Sequence, residues 1–157
     1  MRRTLPPLVG RSRVTAVSFV VSGVPAPQGS KTRTKWGVRE DNPATKPWRT
    51  AVAWEATAAM LKAGLSPLAG PLQLEVVFYF PRPKSHYGTG RNAAVLKPSA
   101  PLYHFIAPDE DKLRRAIGDA MKGIVYVDDS QICDAHGTKF YGTPRCEITV
   151  RELYETV

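Results

Sequence analysis

The segment LQLEVVFYF at 72–80 commits the chain to a fold built around a β-sheet. It is rich in the branched and aromatic side chains that favour strands, and Gly and Pro residues bound it. The run contains Glu75 and is too short for a membrane span, which takes about 20 apolar residues. Because its alternation of apolar and polar residues is imperfect, we expect an interior strand with both faces partly covered.

A strand and a helix are predicted upstream of that segment. Residues 16–24 have strand composition, and the Pro-, Gly- and Lys-rich segment 25–37 that follows is expected to be an irregular loop. Residues 46–63 are rich in alanine and predict a helix, with Thr45 and Pro47 in its N-cap region and first turn. The apolar face of this helix is expected to consist of Ala51, Trp54, Ala58 and Leu61.

A long connection and a second helix follow. Residues 81–107 are rich in Pro, Gly, Lys and Arg, and a loop of this length in a compact domain is usually functional or disordered. The second helix is predicted to begin at Asp109 as N-cap and to end at Gly123. Its apolar stripe consists of Leu113, Ala116, Ile117, Ala120 and Met121. Short strands are expected at 124–127, 131–141 and 145–153.

This order of elements predicts a single α+β domain over 14–157. It would contain a mixed β-sheet of about four to five strands packed against two main helices. Residues 1–13 are expected to be a basic, flexible tail, and neither internal repeats nor a second domain are evident in the sequence. The 157 residues suffice for one hydrophobic core.

Positive charge dominates the chain and is separated from its acidic residues. There are 22 Lys and Arg residues against 14 Asp and Glu, which gives a net charge of +8. Half of the acids fall between positions 109 and 134, whereas 1–39 and 76–108 contain none. Such a field attracts polyanions, of which nucleic acid is the commonest. A basic protein kept soluble by its lysines is the equally weighted alternative on charge alone.

The two cysteines and the N-terminus bear on the compartment. Cys133 and Cys146 follow no zinc-binding pattern, and a single domain of this size does not need a disulfide. Reduced thiols in a cytoplasmic protein are therefore expected. The first 13 residues contain arginines but no continuous apolar core, which argues against a secretory signal, and no membrane association is predicted.

The acids of PDEDKLRR, 108–115, and YVDDSQ, 126–131, form the clearest candidate site. Helical geometry places Asp111, Arg115 and Asp119 along one polar face, with Asp109 at the start of the helix. The short apolar segment before Asp128 and Asp129 can return that pair to the same point. Carboxylates that converge in this way form the oxygen-only site that Mg²⁺ prefers.

Each of these acids also has a purely structural interpretation. Asp109 alone is most often a helix N-cap, and Asp111 is favourable simply because acids in a first turn suit the helix dipole. The pair Asp128 and Asp129 alone would be an ordinary solvated turn. A calcium loop of the EF-hand type is excluded, since Arg114 stands where that loop needs Gly and Ala120 where it needs Glu.

Taken together, the motifs resemble a known family. P-D-x-D-K-L-x-R-A at 108–116, D-A at 119–120 and Y-x-D-D-S-Q-I at 126–132 are similar to the RusA family of Holliday-junction resolvases. The upstream GVPAPQGSKTR and the segments HYGTGRN and LKPSAPLYHFIAPD look like the phage members of that family, so the resemblance runs over about 16–150.

The resemblance implies a homodimeric, Mg²⁺-dependent endodeoxyribonuclease, with Mn²⁺ as an alternative ion. Such enzymes resolve four-way branched DNA by paired symmetric nicks during recombination and repair, here in the cytoplasm of a bacterium or a phage-infected host. The implied metal ligands are Asp109, Asp111 and Asp129, with Asp128 beside them as a helper. The implied catalytic cation is Arg115 or, alternatively, Lys112.

Basic residues outside the acidic cluster are expected to grip the phosphates of the DNA. These residues are Lys31, Arg33, Lys35, Arg82, Lys84, Arg91, Lys97 and Lys139. Two other functions stay open on the sequence. One is a nuclease that acts on flaps or replication forks, and the other is a non-catalytic basic DNA-binding protein whose acids merely cap and solvate a helix.

Overall fold

A computed structural model describes residues 14–29, 31–40 and 42–153 of the chain. The strands are β1 (Ala16–Ser22), β2 (Lys31–Thr34), β3 (Gly37–Glu40), β4 (Leu72–Phe80), β5 (Ile132–Tyr141) and β6 (Arg145–Glu152). The helices are α1 (Thr45–Ala63) and α2 (Glu110–Met121). These elements confirm the predicted single α+β domain, whereas the predicted tail at 1–13 lies outside the described residues.

Four strands form the main sheet, in the order β1–β6–β4–β5. β1 and β4 both run antiparallel to β6, whereas β4 and β5 are parallel and are connected through α2. The interior position predicted for 72–80 is therefore confirmed. Side chains of β4 alternate, so that Leu74, Val76 and Phe78 enter the core while Glu75 points to solvent. The strands predicted at 16–24, 131–141 and 145–153 are also present, with slightly different ends.

Helix α2 has the apolar stripe that its sequence predicts. Leu113, Ile117 and Met121 are fully buried against the sheet. Their spacing of four residues brings one side chain per turn to the same line on the helix, which leaves the opposite side polar. The register of the stripe fixes which polar side chains of α2 can reach the candidate site.

Helix α1 has the predicted bounds, but the predicted apolar face is wrong. The helix buries Trp48, Val52, Ala56 and Met60, whereas Trp54 and Leu61 are 75% and 77% exposed. Alanine occupies so many positions that apolar residues occur all around the helix. The sequence therefore offers two apolar faces, and only contact with the sheet selects one of them.

The start of α1 also differs from the prediction, since Ala44 rather than Thr45 is the N-cap residue. Asn42 supplies the polar group instead, because its Oδ1 accepts a hydrogen bond of 3.0 Å from the Ala44 N–H. The buried Thr45 hydroxyl donates to the Pro27 carbonyl at 2.7 Å. This bond ties the helix to the segment that follows β1.

Two other local predictions are wrong. The segment expected to be an irregular loop contains β2, which pairs with β3 as a hairpin. The strand expected at 124–127 is absent, and Tyr126 makes only single bridges to Leu68 and Lys122. The Tyr126 hydroxyl donates to the Gly118 carbonyl at 2.6 Å, so this segment folds back onto α2 instead of extending a sheet.

The long connection at 81–107 folds on itself. Its hydrogen bonds include Lys97 N–H to the His86 carbonyl at 2.9 Å, and Arg82 donates to the Pro101 carbonyl at 2.8 Å. The last part, 102–108, lies along the outer edge of β5 and is called the strap below. His104 N–H in the strap donates to the Lys139 carbonyl at 3.0 Å. Because the strap is hydrogen-bonded to β5, the position and direction of the chain are fixed where α2 begins.

Candidate active site

Asp109 occupies the N-cap position of α2, as predicted, with an extended backbone. Its carboxylate makes no capping hydrogen bond, so the purely structural interpretation fits its backbone and leaves its side chain unexplained. The side chain is 64% exposed and lies 3.7 Å from the Lys112 ammonium. Asp109 therefore presents a negative charge to solvent at the start of the helix.

Asp111, Arg115 and Asp129 line one cleft of about 270 Å³ between α2 and the sheet. The cleft is also lined by Arg114 and Gly118 of α2 and by Leu74, Ile132 and Ala135 of the sheet region. A turn of α2 separates Asp111 from Arg115, and the 3-10 turn Asp129–Gln131 supplies the opposite wall. The cleft thus joins two carboxylates and two guanidinium groups from separate parts of the sequence.

The neighbouring acids Asp128 and Asp129 have different surroundings. The Asp128 carboxylate accepts a hydrogen bond of 3.3 Å from Ser130 N–H and lies 3.5 Å from the Lys122 ammonium. The Gln131 side chain completes a capping box by accepting from Asp128 N–H at 3.1 Å. Asp128 therefore holds the turn in shape, while Asp129 lines the cleft.

These two acids also influence each other's protonation. Hydrogen bonding to Asp128, then burial and the charge of Asp128, raise the pKa of Asp129. The same hydrogen bond, together with the Ser130 N–H and the positive charge of Lys122, lowers the pKa of Asp128. Asp119 adds a smaller upward contribution to the pKa of Asp129, which indicates a concentration of negative charge at this end of the cleft.

The Arg114–Glu110 ion pair is also part of this region, although the sequence motifs did not predict it. Arg114 donates to the Glu110 carboxylate at 2.6 and 3.3 Å, and this contact is the first cause that raises the pKa of Arg114. A Glu four residues before an Arg is a known stabilising arrangement on helices, so the spacing could have revealed the pair. What the spacing does not reveal is that Arg114 also lines the cleft.

The two candidates for the catalytic cation differ in their surroundings. Arg115 lines the cleft with Asp111 and Asp129, whereas Lys112 is exposed beside Asp109. The Lys112 carbonyl also accepts a hydrogen bond of 2.9 Å from Gln28 N–H, which ties this turn of the helix to the segment after β1.

The residues predicted to bind DNA fall into two groups. Arg33 and Lys35 are exposed on the β2–β3 hairpin, and Lys84, Arg91 and Lys97 are exposed on the long connection. Arg82 and Lys139 are half-buried and donate hydrogen bonds to backbone carbonyls. Lys31 begins β2, but its side chain lies outside the described residues.

The donors around the cleft fit a hard divalent cation. They are carboxylate oxygens without thiolate or imidazole groups, and the Asp128–Asp129 pair concentrates negative charge that a cation would neutralise. Across 14–29, 31–40 and 42–153, no three Asp, Glu, His or Cys side chains are close enough together to hold a metal ion. Asp111 and Asp129 share the cleft, while Asp109 does not line it.

Both cysteines of the chain lie within the described residues. Cys133 is exposed, Cys146 is buried, and both thiols are free, as predicted. Burial raises the pKa of the Cys146 thiol, which keeps it protonated. Within the described residues, no helix is long and apolar enough to cross a membrane.

Comparisons with known proteins agree with these motifs. The family model "Endodeoxyribonuclease RusA" matches residues 22–151, which is most of the chain. The chain is also 27% identical over 146 residues to "Uncharacterized protein YqaN" of Bacillus subtilis (strain 168), and this match covers 87% of the chain and 96% of the relative. The chain therefore belongs to the RusA endodeoxyribonuclease family, which indicates an endonuclease of the Holliday-junction-resolvase type.

Proposed function

We propose that this RusA-family protein is a Mg²⁺-dependent endonuclease that resolves four-way DNA junctions by paired symmetric nicks. The supporting observation is the cleft in which Asp111 and Asp129 meet Arg115. A purely structural role would explain these acids if they lay apart and were paired only with structural cations. Instead, Asp111 and Asp129 line the same cleft. The DNA substrate places the activity in the cytoplasm of a bacterium or a phage-infected host.

Asp111 and Asp129 would hold the divalent ion in this proposal, with Asp109 contributing from the start of the helix. When bound, Mg²⁺ or Mn²⁺ supplies Lewis-acid stabilisation and a more acidic water for phosphodiester hydrolysis. Arg115 lies in the same cleft and would offset negative charge on the scissile phosphate. Arg114 is held by Glu110, so it is oriented before DNA arrives. Lys112 does not line the cleft and lies beside Asp109 instead, which favours Arg115 as the catalytic cation.

Exposed basic residues on two projections would bind the flanking DNA. The β2–β3 hairpin carries Arg33 and Lys35, and the long connection carries Lys84, Arg91 and Lys97. Each phosphate contact displaces counterions, so junction affinity should fall steeply as salt rises. The hairpin and the long connection thus serve as binding elements beside an acidic reaction centre.

The outer face of α1 is the proposed homodimer surface. An uncharged strip runs along it, made of Thr50, Ala53, Trp54, Thr57, Ala58 and Leu61, and lines a shallow groove of about 430 Å³. Two copies of a protein with a net charge of +8 repel each other, so they can approach most readily along an uncharged surface. A second copy is therefore the occupant that the charge distribution favours.

Two α1 helices packed antiparallel would bury this strip. A two-fold axis between Thr57 and Ala58 sets Trp54 opposite Leu61 of the second copy. Trp54→Glu should give a monomer by light scattering, whereas Val95→Glu, at an exposed apolar position elsewhere, should leave a dimer. A dimer that persists in Trp54→Glu would overturn this assignment.

Cleavage of a synthetic four-way junction, compared with linear duplex and flapped DNA, tests the proposed activity. We expect cutting of the junction at symmetry-related positions only when Mg²⁺ or Mn²⁺ is added. Equal cutting of all three substrates would indicate a general nuclease, and preference for the flap would favour the flap or fork nuclease. Binding of the junction without cleavage in any divalent ion would favour a non-catalytic DNA-binding protein.

A further inference from the structure

Lys139 is predicted from the sequence to bind DNA, but its ammonium group is hydrogen-bonded to backbone carbonyl groups of the protein. Its Nζ donates to the Ile106 carbonyl at 2.6 Å and to the Pro108 carbonyl at 2.7 Å. The backbone carbonyl of Lys139 accepts a further hydrogen bond of 3.0 Å from His104 N–H. One residue of β5 thus holds the strap at three points.

The surroundings of Lys139 differ from those of the exposed basic residues. Its side chain is half-buried, and burial lowers its pKa while the charges of Asp109 and Glu110 oppose that shift. Two of the three ammonium hydrogens point at carbonyl oxygens that would otherwise lack these bonds. A lysine that grips a phosphate needs a free, solvated head group, as Lys84 and Lys97 have.

The two bound carbonyls belong to residues one and three positions before Asp109, the first aspartate of the motif. The Pro108 carbonyl belongs to the peptide that joins Pro108 to Asp109. On the other side of Asp109, the Glu110 side chain packs over Gly137, which lies two residues before Lys139 on the same face of β5. A Cβ atom at Gly137 would overlap the Glu110 carboxylate. β5 therefore fixes the residues on both sides of Asp109.

We propose that Lys139 is a positioning residue that sets Asp109, through the Ile106 and Pro108 carbonyls, at the start of α2, and that it does not contact DNA. The effect of Lys139 on the cleavage rate rests on the proposed nuclease activity. The structural part of the inference stands independently of that activity. A shift of about 1 Å in a reacting group can reduce the rate by as much as about 100-fold, so a lost backbone clamp should appear in turnover.

Lysine acetylation with acetic anhydride, followed by peptide mass spectrometry, tests the inference on the wild-type protein. Lys139 should react slowly in the free protein, and junction DNA should not change its rate. Lys84 and Lys97 serve as internal controls, because exposed lysines should react quickly and be protected by DNA. A Lys139 that reacts as fast as Lys97 and becomes protected by the junction would overturn the proposal.

Substitution separates positioning from DNA binding. In Lys139→Met, we expect the single-turnover cleavage rate at saturating enzyme to fall about 10–100-fold, while the junction Kd and its salt dependence stay unchanged. Lys139→Arg should recover part of the rate, since a guanidinium can donate to both carbonyls. In the matched variant Lys97→Met, the slope of log K against log salt should decrease by about 1. A loss of affinity and salt slope in Lys139→Met, with the rate unchanged, would contradict the proposal.

Hydrogen exchange provides a measurement that does not depend on cleavage. Amides of residues 105–113 should exchange faster in Lys139→Met than in the wild type, and those of α1 should not change. Unchanged exchange at 105–113 would contradict the positioning role even if the protein cuts no DNA. If the wild type shows slow Lys139 acetylation but no cleavage, the proposed nuclease fails and the clamp stands.

Discussion

Helices α1 and α2 close one hydrophobic core, yet they present opposite outer surfaces. α2 buries Leu113, Ile117 and Met121 and exposes a charged edge that carries Asp111 and Arg115. α1 buries Trp48 and Met60 and exposes an uncharged strip instead. The proposed function thus locates substrate chemistry and partner binding on different helices, so a substitution on one helix should affect only one of the two properties.

The largest expected effect is the loss of cleavage when the edge of α2 is neutralised. Asp111→Asn should reduce Mg²⁺-dependent junction cleavage roughly 10³-fold, about 4 kcal/mol of transition-state stabilisation, because a metal-binding carboxylate is lost. Junction binding should persist or tighten, since negative charge near a phosphate is removed. Single-turnover kinetics and a gel-shift titration measure the two quantities.

Two matched variants sharpen this prediction. Asp109→Asn is expected to abolish cleavage in the same way, although Asp109 stands outside the cleft lining. Glu75→Gln, at an exposed position on β4, should cleave like the wild type. Retained cleavage in both Asp109→Asn and Asp111→Asn would sink the assignment of these aspartates.

The second effect is on stability. Truncating a buried apolar side chain of α2 should destabilise the protein much more than truncating an exposed one of α1. Ile117→Ala in α2 should reduce the free energy of unfolding by about 2–5 kcal/mol, since it opens a cavity in the core. Leu61→Ala in α1 should cost less than about 0.5 kcal/mol in dilute protein, where the strip is exposed. Urea denaturation at several protein concentrations measures both. A large, concentration-independent cost for Leu61→Ala would mean that α1 packs with its other face inward.

The smallest effect concerns the acid sensitivity of the strap. Burial, then the charge of Lys139, lowers the pKa of His104, which is stacked at 4.0 Å on Phe80. Above pH of about 6.5, His104 is neutral in both folded and unfolded protein and contributes no pH dependence. Between that pH and the lower pKa of His104 in the folded protein, the unfolded chain binds a proton at His104 and the folded protein does not. The free energy of unfolding therefore decreases as the pH falls through this range.

His104→Phe should therefore flatten the decline of stability below pH of about 6.5, because the aromatic packing is kept and the titrating group is removed. Thermal unfolding of wild type and variant at closely spaced pH values measures the difference. An identical decline in both proteins would show that other groups cause the acid sensitivity. The acid-sensitive site would then lie outside the strap.

The spacing of apolar residues predicted helices and strands well wherever it was consistent with only one buried face. The strand at 72–80 and the stripe of α2 were recovered because their apolar residues leave one arrangement that hides them from water. The α1 face was not recovered, since alanine-rich sequence offers Trp48 and Trp54 on different sides with similar hydrophobicity. The β2–β3 hairpin was missed because its basic residues carry little strand signal.

The sequence by itself determined the family, the charge pattern and the acids at 109–111 and 128–129, since these follow from residue identity and spacing. Only the tertiary structure separated Asp129, which lines the cleft, from Asp128, which caps a turn. It likewise showed that the Lys139 ammonium donates to the Ile106 and Pro108 carbonyls, the observation on which its proposed positioning role rests. The physical reason is that a charge acts through what lies within a few ångströms of it, and for β5, α2 and the strap those neighbours come from distant parts of the chain.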